Sequence, residues 1–223
     1  MALRKGGAAS TLRRGQDGPA VIYVKEGING GSSFYRILQY VEALREDSAR
    51  TIKVRVLVPE AIRRLRYDAV ASPRAPVAIL ARVMYVVCCA VAGTVWMVVD
   101  RFSPAPAVLV VGRSIFPHMP RLATGVYRSL LRRSARVVWD FDDDIRESGE
   151  LSLPEAQLLE SAADQVVVTH SVLGRMISTS FAGELLELPT TDSAFEGRDW
   201  GALVTERVST MDHQVRLVWV GSA

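Results

Sequence analysis

Short apolar runs alternate with amphipathic helical segments along most of the chain. Six runs have the length of strands: AVIYV at 20–24, TIKVRVLVP at 51–59, AVLVVG at 107–112, RVVWDF at 136–141, QVVVTH at 165–170 and ELLELP at 184–189. Helical segments lie between several of them, among them FYRILQYVEALRE (34–46), RLATGVYRSLLRRS (121–134), LPEAQLLESAA (153–163) and SVLGRMISTSF (171–181). Such a series predicts an α/β fold, a Rossmann-like doubly wound parallel sheet that binds ligands at the carboxyl ends of its strands.

The segment from 83 to 99, VMYVVCCAVAGTVWMVV, carries no charge over 17 residues. This length is at the short limit for a transmembrane helix. Two interpretations stay open: a helix buried on the sheet, or a helix that enters or lies against a membrane. Arg82 and Arg101 flank the two ends, so the charges indicate no orientation.

The two ends of the chain differ in composition from its middle. Residues 1–18 are rich in Gly, Ala and Arg without an apolar stretch, which predicts a flexible basic tail and no secretory signal. After the α/β segment, 19–190, the polar residues 191–214 are interpreted as a linker. Residues 215–223, VRLVWVGSA, then begin a new apolar run. This run is either the first strand of a truncated second α/β domain or a seventh strand of the first.

Composition narrows the possible functions only slightly. The chain is 49% hydrophobic and 23% charged, as globular proteins are, and its net charge of +3 argues against a dedicated nucleic-acid binder. Arginine clusters at 63–66 and 132–136 are typical of a solvated surface, or of attraction to anionic lipid head groups or a phosphate-bearing substrate. The two cysteines, Cys88 and Cys89, are adjacent and predict no disulfide framework, which fits a reducing, cytoplasmic compartment.

A glycine-rich turn, GINGGSSFYR at 27–36, follows the first predicted strand and opens a helix. Backbone N–H groups at such a turn suit a phosphate or a sugar hydroxyl. The stretch lacks both the G-x-G-x-x-G spacing and a Gly-Lys-Ser/Thr sequence, so it is neither a dinucleotide fingerprint nor a P-loop. Gly30 and Gly31 either bind a ligand or make a tight turn before a helix that Ser32 or Ser33 caps.

Four aspartates in five positions follow the fourth predicted strand, in RVVWDFDDDIRE at 136–147. One interpretation is a phosphohydrolase of the haloacid-dehalogenase type, with Asp140 as nucleophile and Asp142 as acid/base. Against it, that family carries its motif on the first strand and has Thr or Val where this chain has Asp144. A second interpretation is a D-x-D metal site, which usually belongs to a fold with mixed strands rather than a regular βα alternation.

The order of these motifs resembles the N-terminal half of a GT-B glycosyltransferase of the broad group-1, family-4-like type. The matching pieces are GGSSFYRILQYVEAL, VLVVGRSIFP, VVWDFDDDI, LESAADQVVVTHSVLGRMI, LPTTD and VRLVWVGS, in chain order. The resemblance implies two Rossmann-like domains across a cleft, the first binding a hydroxyl acceptor and the second a nucleotide-sugar donor. It also implies no cofactor and no metal, because helix dipoles and basic side chains hold the diphosphate.

The resemblance also implies roles for single residues. Asp140 and Asp142 would act in catalysis. The residues expected to bind substrate at the cleft are Gly30, Gly31, Arg36, Arg113, Asp143 and Asp144. The last two could instead cap the segment that follows them. Gly221 and Ser222 would approach the diphosphate of the donor.

The expected function is transfer of a glycosyl group from a nucleotide sugar to a hydroxyl acceptor, in polysaccharide or glycan assembly. The expected location is the cytoplasm, with possible peripheral membrane contact and no nucleic-acid partner. Without a donor-binding half, the chain alone is expected to be inactive or badly impaired. The alternatives are the phosphohydrolase and a non-catalytic, membrane-associated α/β binding module that uses the segment 83–99.

Overall fold

The computed structural model describes residues 17–48, 50–70, 75–117, 124–190 and 205, without the side chains of residues 70, 75 and 124. The interpretations of residues 1–16, of the linker 191–214 apart from residue 205, and of the apolar run 215–223 with Gly221 and Ser222 lie outside these residues. By its contacts the chain divides into two units, Met1–Thr191 and Asp192–Ala223. All the elements given below belong to the first unit.

The described strands form one sheet of six, and every strand in it is parallel to its neighbours. In chain order they are β1 (Ala20–Val24), β2 (Ile52–Val56), β3 (Val108–Gly112), β4 (Arg136–Phe141), β5 (Gln165–Val168) and β6 (Glu184–Glu187). Across the sheet the order is β2-β1-β3-β4-β5-β6. The direction of winding reverses between β2 and β3, so the carboxyl ends of β1 and β3 form the topological switch point. The predicted parallel α/β fold is confirmed.

Helices cover both faces of this sheet. They are α1 (Gly31–Arg36), α2 (Val41–Asp47), α3 (Glu60–Val70), α4 (Ala75–Phe102), α5 (Thr124–Arg133), α6 (Leu153–Ala162) and α7 (Ser171–Gly174). A short 3₁₀ turn, Leu38–Tyr40, separates α1 from α2. These first two helices lie on one face of the sheet, and the remaining five lie on the other.

The strand side chains alternate between two apolar clusters, as the period of two along a strand requires. On β1, Val21 and Tyr23 face the larger cluster, to which α3–α7 contribute, while Ile22 and Val24 face the smaller cluster beside α1 and α2. Trp139 on β4 is 1% exposed and belongs to the larger cluster. Since full burial of one large apolar side chain contributes about 1.5–3 kcal/mol, the larger cluster is the main stabilising core.

The segment predicted as one helix at 34–46 is divided into α1, the 3₁₀ turn and α2. Ile37 ends α1 because its backbone leaves the helical region (φ −131°, ψ −57°), and its side chain packs against the smaller cluster. The predicted serine cap is wrong, because Gly30 is the N-cap and no side chain bonds there. Ser33 Oγ instead accepts a hydrogen bond from the Glu26 N–H, at 3.2 Å.

The uncharged segment 83–99 lies inside α4, a helix of 28 residues with two different sides. Tyr85, Cys89 and Met97 are buried in the larger cluster, whereas Val87 and Val91 are about half exposed (47% and 58%). By length and composition Pro76–Phe102 could cross a membrane, and 28% of its apolar window is buried. The buried-helix interpretation therefore describes only one side of α4.

A buried ion pair fixes the carboxyl end of α4 to the sheet. The Asp100 side chain accepts hydrogen bonds from Tyr23 Oη at 2.7 Å, from Arg55 Nε at 3.1 Å and from Arg55 Nη2 at 2.6 Å. The Arg55 guanidinium also lies over the Trp96 ring, 4.3 Å from its centroid. A carboxylate is unfavourable at the negative end of a helix, so this Asp100 is held in place by its partners on β1 and β2.

Candidate functional site

Most of the residues selected from the sequence meet at the carboxyl ends of β1, β3 and β4. In the sheet register Gly112 pairs with Asp140, so the residues that follow β3 and β4 leave the sheet side by side. Arg113 follows β3 directly, Asp142 lies just beyond β4, and α1 brings Arg36 over the same edge. This edge is the switch point of the sheet, where doubly wound α/β folds bind their ligands.

Arg36 and Asp140 form a two-pronged ion pair between α1 and β4. Arg36 Nε donates to both carboxylate oxygens, at 3.0 and 2.9 Å, and Nη2 donates to Oδ1. The two side chains are 4% and 11% exposed. Burial raises the pKa of Asp140, and the Arg36 guanidinium opposes that shift. Arg36 Nη1 also donates to Leu188 O at 3.1 Å and to Thr190 Oγ1 at 3.3 Å, so this pair joins three parts of the edge.

The backbone of Arg113 is strained, and it is held from two directions. Its φ is 65°, and among the described residues no other non-glycine residue has a positive φ. This left-handed conformation costs a non-glycine residue about 1–2 kcal/mol. The Arg113 N–H donates to Asp140 O at 2.7 Å, and Trp139 Nε1 donates to Arg113 O at 2.9 Å. Strain maintained by its surroundings in this way is concentrated at functional sites in proteins.

The Arg113 side chain lies among three carboxylates. Its Nη1 donates to Asp142 Oδ1 at 2.7 Å and to Asp143 Oδ2 at 2.8 Å, and its Nε donates to Glu150 Oε1 at 3.1 Å. Ser32 Oγ also accepts from Nη1, at 3.2 Å. The side chain of Arg113 thus bonds three acidic residues of the connection between β4 and α6.

Lys25, directly after β1, completes this charged cluster. Its Nζ lies 3.0 Å from Glu150 Oε2. Burial by itself would raise the pKa of Glu150, but Lys25 and Arg113 together outweigh burial and hold the pKa below its usual value. Glu150 is therefore an ionised carboxylate that ties the ends of β1 and β3 together.

The other predicted substrate-binding residues occupy different settings around this cluster. The Asp143 side chain is 67% exposed apart from its contact with Arg113. Asp144 Oδ1 accepts from the backbone N–H groups of Arg146 and Glu147, at 3.1 and 2.8 Å, so it caps the turn that follows. Gly31 is exposed.

Gly30 and the end of β1 are in close contact. A Cβ at Gly30 would lie 2.4 Å from the Glu26 Cβ, so a larger residue would move the turn. Tight packing of the turn against Glu26, two residues beyond β1, therefore explains the glycine.

The charged side chains leave little free space between them. The pocket lined by Ser32, Arg36, Arg113, Asp140 and Asp142, among others, encloses about 10 Å³, which is room for about one water molecule. Concavities of about 510 and 520 Å³ lie elsewhere, beside α6, and none of the predicted site residues lines them. A ligand at the switch point must therefore displace one of the ion pairs or bind above them.

Sequence reasoning missed Lys25, Glu150 and a third residue, Glu155. The Glu155 carboxylate, 6% exposed, accepts from Ser114 Oγ at 2.8 Å and from the Ile115 N–H at 2.9 Å. Burial raises its pKa to about 7. It thereby holds the two residues that follow Arg113. No motif marks these three residues; only the position of Lys25 directly after a strand was a signal.

Arginine side chains stand between the carboxylates at this edge. Among the described residues, no group of three His, Cys, Asp or Glu side chains is arranged to hold a metal ion. The guanidinium of Arg113 bridges Asp142 and Asp143, and that of Arg36 takes both oxygens of Asp140. Three of the four aspartates are thus paired with arginines, and the fourth, Asp144, accepts hydrogen bonds from backbone N–H groups.

Comparison with known proteins adds no further constraint. No protein-family model, no curated protein and no solved structure matches this chain. The function of the site is therefore inferred from its geometry.

We expect Glu155→Gln to flatten the pH dependence of stability between pH 4.5 and 7. In the unfolded chain this carboxyl has its ordinary pKa of 4.5, whereas burial raises the pKa in the folded protein to about 7. The folded protein thus keeps a proton that the unfolded chain releases, so the stabilisation is complete below pH 4.5 and is lost as the pH rises through 7. The shift corresponds to about 3 kcal/mol, measurable by urea unfolding of both proteins across this range.

Glu150→Gln is the matched control, because its pKa is lowered rather than raised. Glu150 stabilises the fold above its ordinary pKa, and that contribution is lost as the pH falls. The substitution should therefore alter the acidic side of the profile and leave the decline towards pH 7. A Glu155→Gln protein with the wild-type slope between pH 4.5 and 7 would contradict the expected role of Glu155.

Proposed function

We propose that this chain is the acceptor-side, N-terminal half of a GT-B glycosyltransferase. The reaction is transfer of a glycosyl group from a nucleotide sugar to a hydroxyl acceptor. The observation that carries the proposal is the meeting of Arg36, Arg113, Asp140 and Asp142 at the switch point of an all-parallel sheet. It is supported by the order of the sequence motifs, from the glycine-rich turn to the aspartate block.

Of the two aspartates, Asp142 is the better placed to receive the acceptor hydroxyl. Both oxygens of Asp140 are bonded to Arg36, so Asp140 positions that arginine. Asp142 bonds Arg113 through Oδ1, and its backbone carbonyl is fixed by Thr169 Oγ1 at 3.1 Å. In the proposed reaction the acceptor oxygen bonds to the sugar carbon, the nucleoside diphosphate leaves with the bonding electrons, and Asp142 accepts the hydroxyl proton.

The contact between Arg113 and Asp143 is the one that substrate can replace at least cost. Asp143 is mostly exposed (67%), whereas Asp142 and Glu150 are 14% and 10% exposed. An exposed ion pair contributes only about 0–1 kcal/mol. Release of Asp143 frees one N–H of Arg113 Nη1 to bind an anionic group while Nη1 still bonds Asp142, which would open the nearly filled pocket.

The phosphohydrolase alternative fits the geometry less well. That mechanism needs an aspartate oxygen that is free to attack phosphorus. In this fold both oxygens of the Asp140 carboxylate accept hydrogen bonds from Arg36. The strand that carries Asp140 is also the fourth of the described strands, whereas the haloacid-dehalogenase type carries its motif on the first.

The test is nucleoside diphosphate release from a panel of nucleotide sugars, including UDP-glucose, UDP-N-acetylglucosamine and GDP-mannose. The protein expressed from its full reading frame should release diphosphate only when a hydroxyl acceptor is added, whereas residues 1–223 alone should release little. Normal saturable turnover by residues 1–223 alone would contradict the division into two halves. Phosphate release from p-nitrophenyl phosphate that Asp140→Asn abolishes, without nucleotide-sugar turnover, would establish the phosphohydrolase instead.

A further inference from the structure

The outer side of α4 is an apolar stripe that runs almost the whole length of the helix. It consists of eight exposed residues at helical spacing: Val77, Leu80, Val83, Val87, Val91, Val95, Val98 and Phe102. From first to last this "α4 stripe" is about 38 Å long, at 1.5 Å per residue. Contiguous exposed apolar surface of this extent marks a site of interaction with another apolar surface.

The opposite side of the same helix cannot leave the protein. Cys89 and Met97 are 0% exposed in the larger cluster, and Asp100 is bonded to Tyr23 and Arg55. If α4 crossed a bilayer, these groups would lose their partners and an ionised pair would be broken. In the folded protein the helix can therefore only lie along an apolar surface, not pass through it.

Exposed arginines lie on α4 itself and on the neighbouring helix α5. α4 and α5 pack on the same face of the sheet, so their exposed sides point away from the sheet together. Between them they carry five arginines and one acidic residue, and that acid is the buried Asp100. Arg101, Arg128 and Arg132 are all exposed. Basic residues beside an apolar helix face are suited to anionic lipid head groups.

We propose that the α4 stripe and its neighbouring arginines dock this protein on an anionic phospholipid bilayer, with α4 parallel to the membrane plane. A second copy of the chain is a poorer occupant, because it would bring two arginine-rich surfaces together. The helix α3, which also packs on α4, adds three arginines against two acidic residues, Glu60 and Asp68. A bilayer supplies both the apolar layer for the valines and the negative charge for the arginines.

Docking in this way would bring the candidate functional site close to the membrane surface. Tyr85 Oη on α4 donates to Glu26 Oε1 at 2.6 Å, and Glu26 lies two residues beyond β1. A crossover helix begins near the carboxyl edge of the sheet and runs back towards the amino edge. Since Tyr85 lies at the carboxyl edge, the ten residues of α4 before it extend past that edge. The first part of the α4 stripe thus lies beside the switch point, while docking itself does not depend on the catalytic proposal.

The test is co-sedimentation with vesicles of phosphatidylcholine mixed with phosphatidylglycerol, and with vesicles of phosphatidylcholine alone. The wild-type chain should bind the mixed vesicles more tightly, and added salt should weaken that binding. Val91→Glu should weaken binding to the mixed vesicles about tenfold or more. The substitution loses the burial of one valine and places a carboxylate against the apolar layer, and each effect costs more than about 1 kcal/mol. Leu44→Glu lies on α2, on the opposite face of the sheet, and its exposure of 47% matches that of Val87, so it should bind as the wild type does.

Val87→Glu provides a second substitution on the α4 stripe, and thermal unfolding should show all three variants folded because each site is exposed. Wild-type protein that leaves the mixed vesicles unbound would overturn the proposal. Equal binding by Val91→Glu and the wild type would also overturn it. A wild-type dimer that Val91→Glu dissociates, without vesicle binding, would assign the α4 stripe to a second copy instead.

Discussion

Replacing Arg113 by alanine is expected to lower the free energy of unfolding by about 3–5 kcal/mol, because it leaves buried carboxylates without their partner. Glu150 would keep only Lys25, and Asp142 would lose its ion pair. Alanine gives no relief of backbone strain, since a Cβ remains at a φ of 65°. Urea unfolding at neutral pH measures the change.

Three comparisons separate the possible causes of that loss. Arg113→Gly should be about 1 kcal/mol more stable than Arg113→Ala, because glycine tolerates the left-handed backbone. Adding Glu150→Gln to Arg113→Ala should recover part of the loss, because the neutral amide needs no cation. Arg64→Ala, whose side chain is 69% exposed, should change stability by less than about 0.5 kcal/mol. If Arg113→Ala were as stable as Arg64→Ala, the ion pairs would not hold this edge together.

Replacing Asp100 by alanine should cost a similar amount, about 3–5 kcal/mol, at the carboxyl end of α4. The substitution leaves the Tyr23 hydroxyl unbonded and the Arg55 cation, 14% exposed, without its carboxylate. The carboxyl end of α4 would loosen from β1 and β2, so amide exchange in the last turns of α4 should accelerate along with the loss of stability.

The matched control for Asp100 is Asp143→Ala, because Asp143 is an ion-paired aspartate that is 67% exposed. Its removal should cost less than about 1 kcal/mol. Asp100→Asn should fall between the two, since the amide oxygen still accepts one hydrogen bond. Equal effects of Asp100→Ala and Asp143→Ala would show that the α4 anchor contributes nothing to stability.

The strands were readable from the sequence because each is a short apolar run with breakers on both sides. β1 and β4 have the predicted bounds, Ala20–Val24 and Arg136–Phe141, and the other four differ only at their ends. α3 was missed although its apolar residues do have helical spacing, since Ile62, Leu65 and Ala69 recur every three or four residues. α4 extends eight residues before and three residues after the uncharged segment 83–99, since helix length depends on packing as well as on apolarity.

The site was only partly readable, for a physical reason. Arg113, Asp140 and Asp142 were placed at strand ends, which the parallel sheet brings together, and Arg36 was placed in the helix after the first strand. Their pairing depends on the strand order and on the left-handed backbone at Arg113, which residue types do not reveal. Glu150 enters the cluster from a loop without a motif.

The most direct test of an acceptor-side role is the effect of Asp142→Asn on the two Michaelis constants. The assay uses the full-length protein with the nucleotide sugar and acceptor found in the diphosphate-release panel. Asp142→Asn is nearly isosteric and keeps an oxygen for Arg113. Loss of the proton acceptor should lower kcat about 100-fold or more, and loss of one charged hydrogen bond should raise the acceptor KM about tenfold, with the KM for nucleotide sugar unchanged. A raised nucleotide-sugar KM with an unchanged acceptor KM would contradict the assignment of this half to the acceptor.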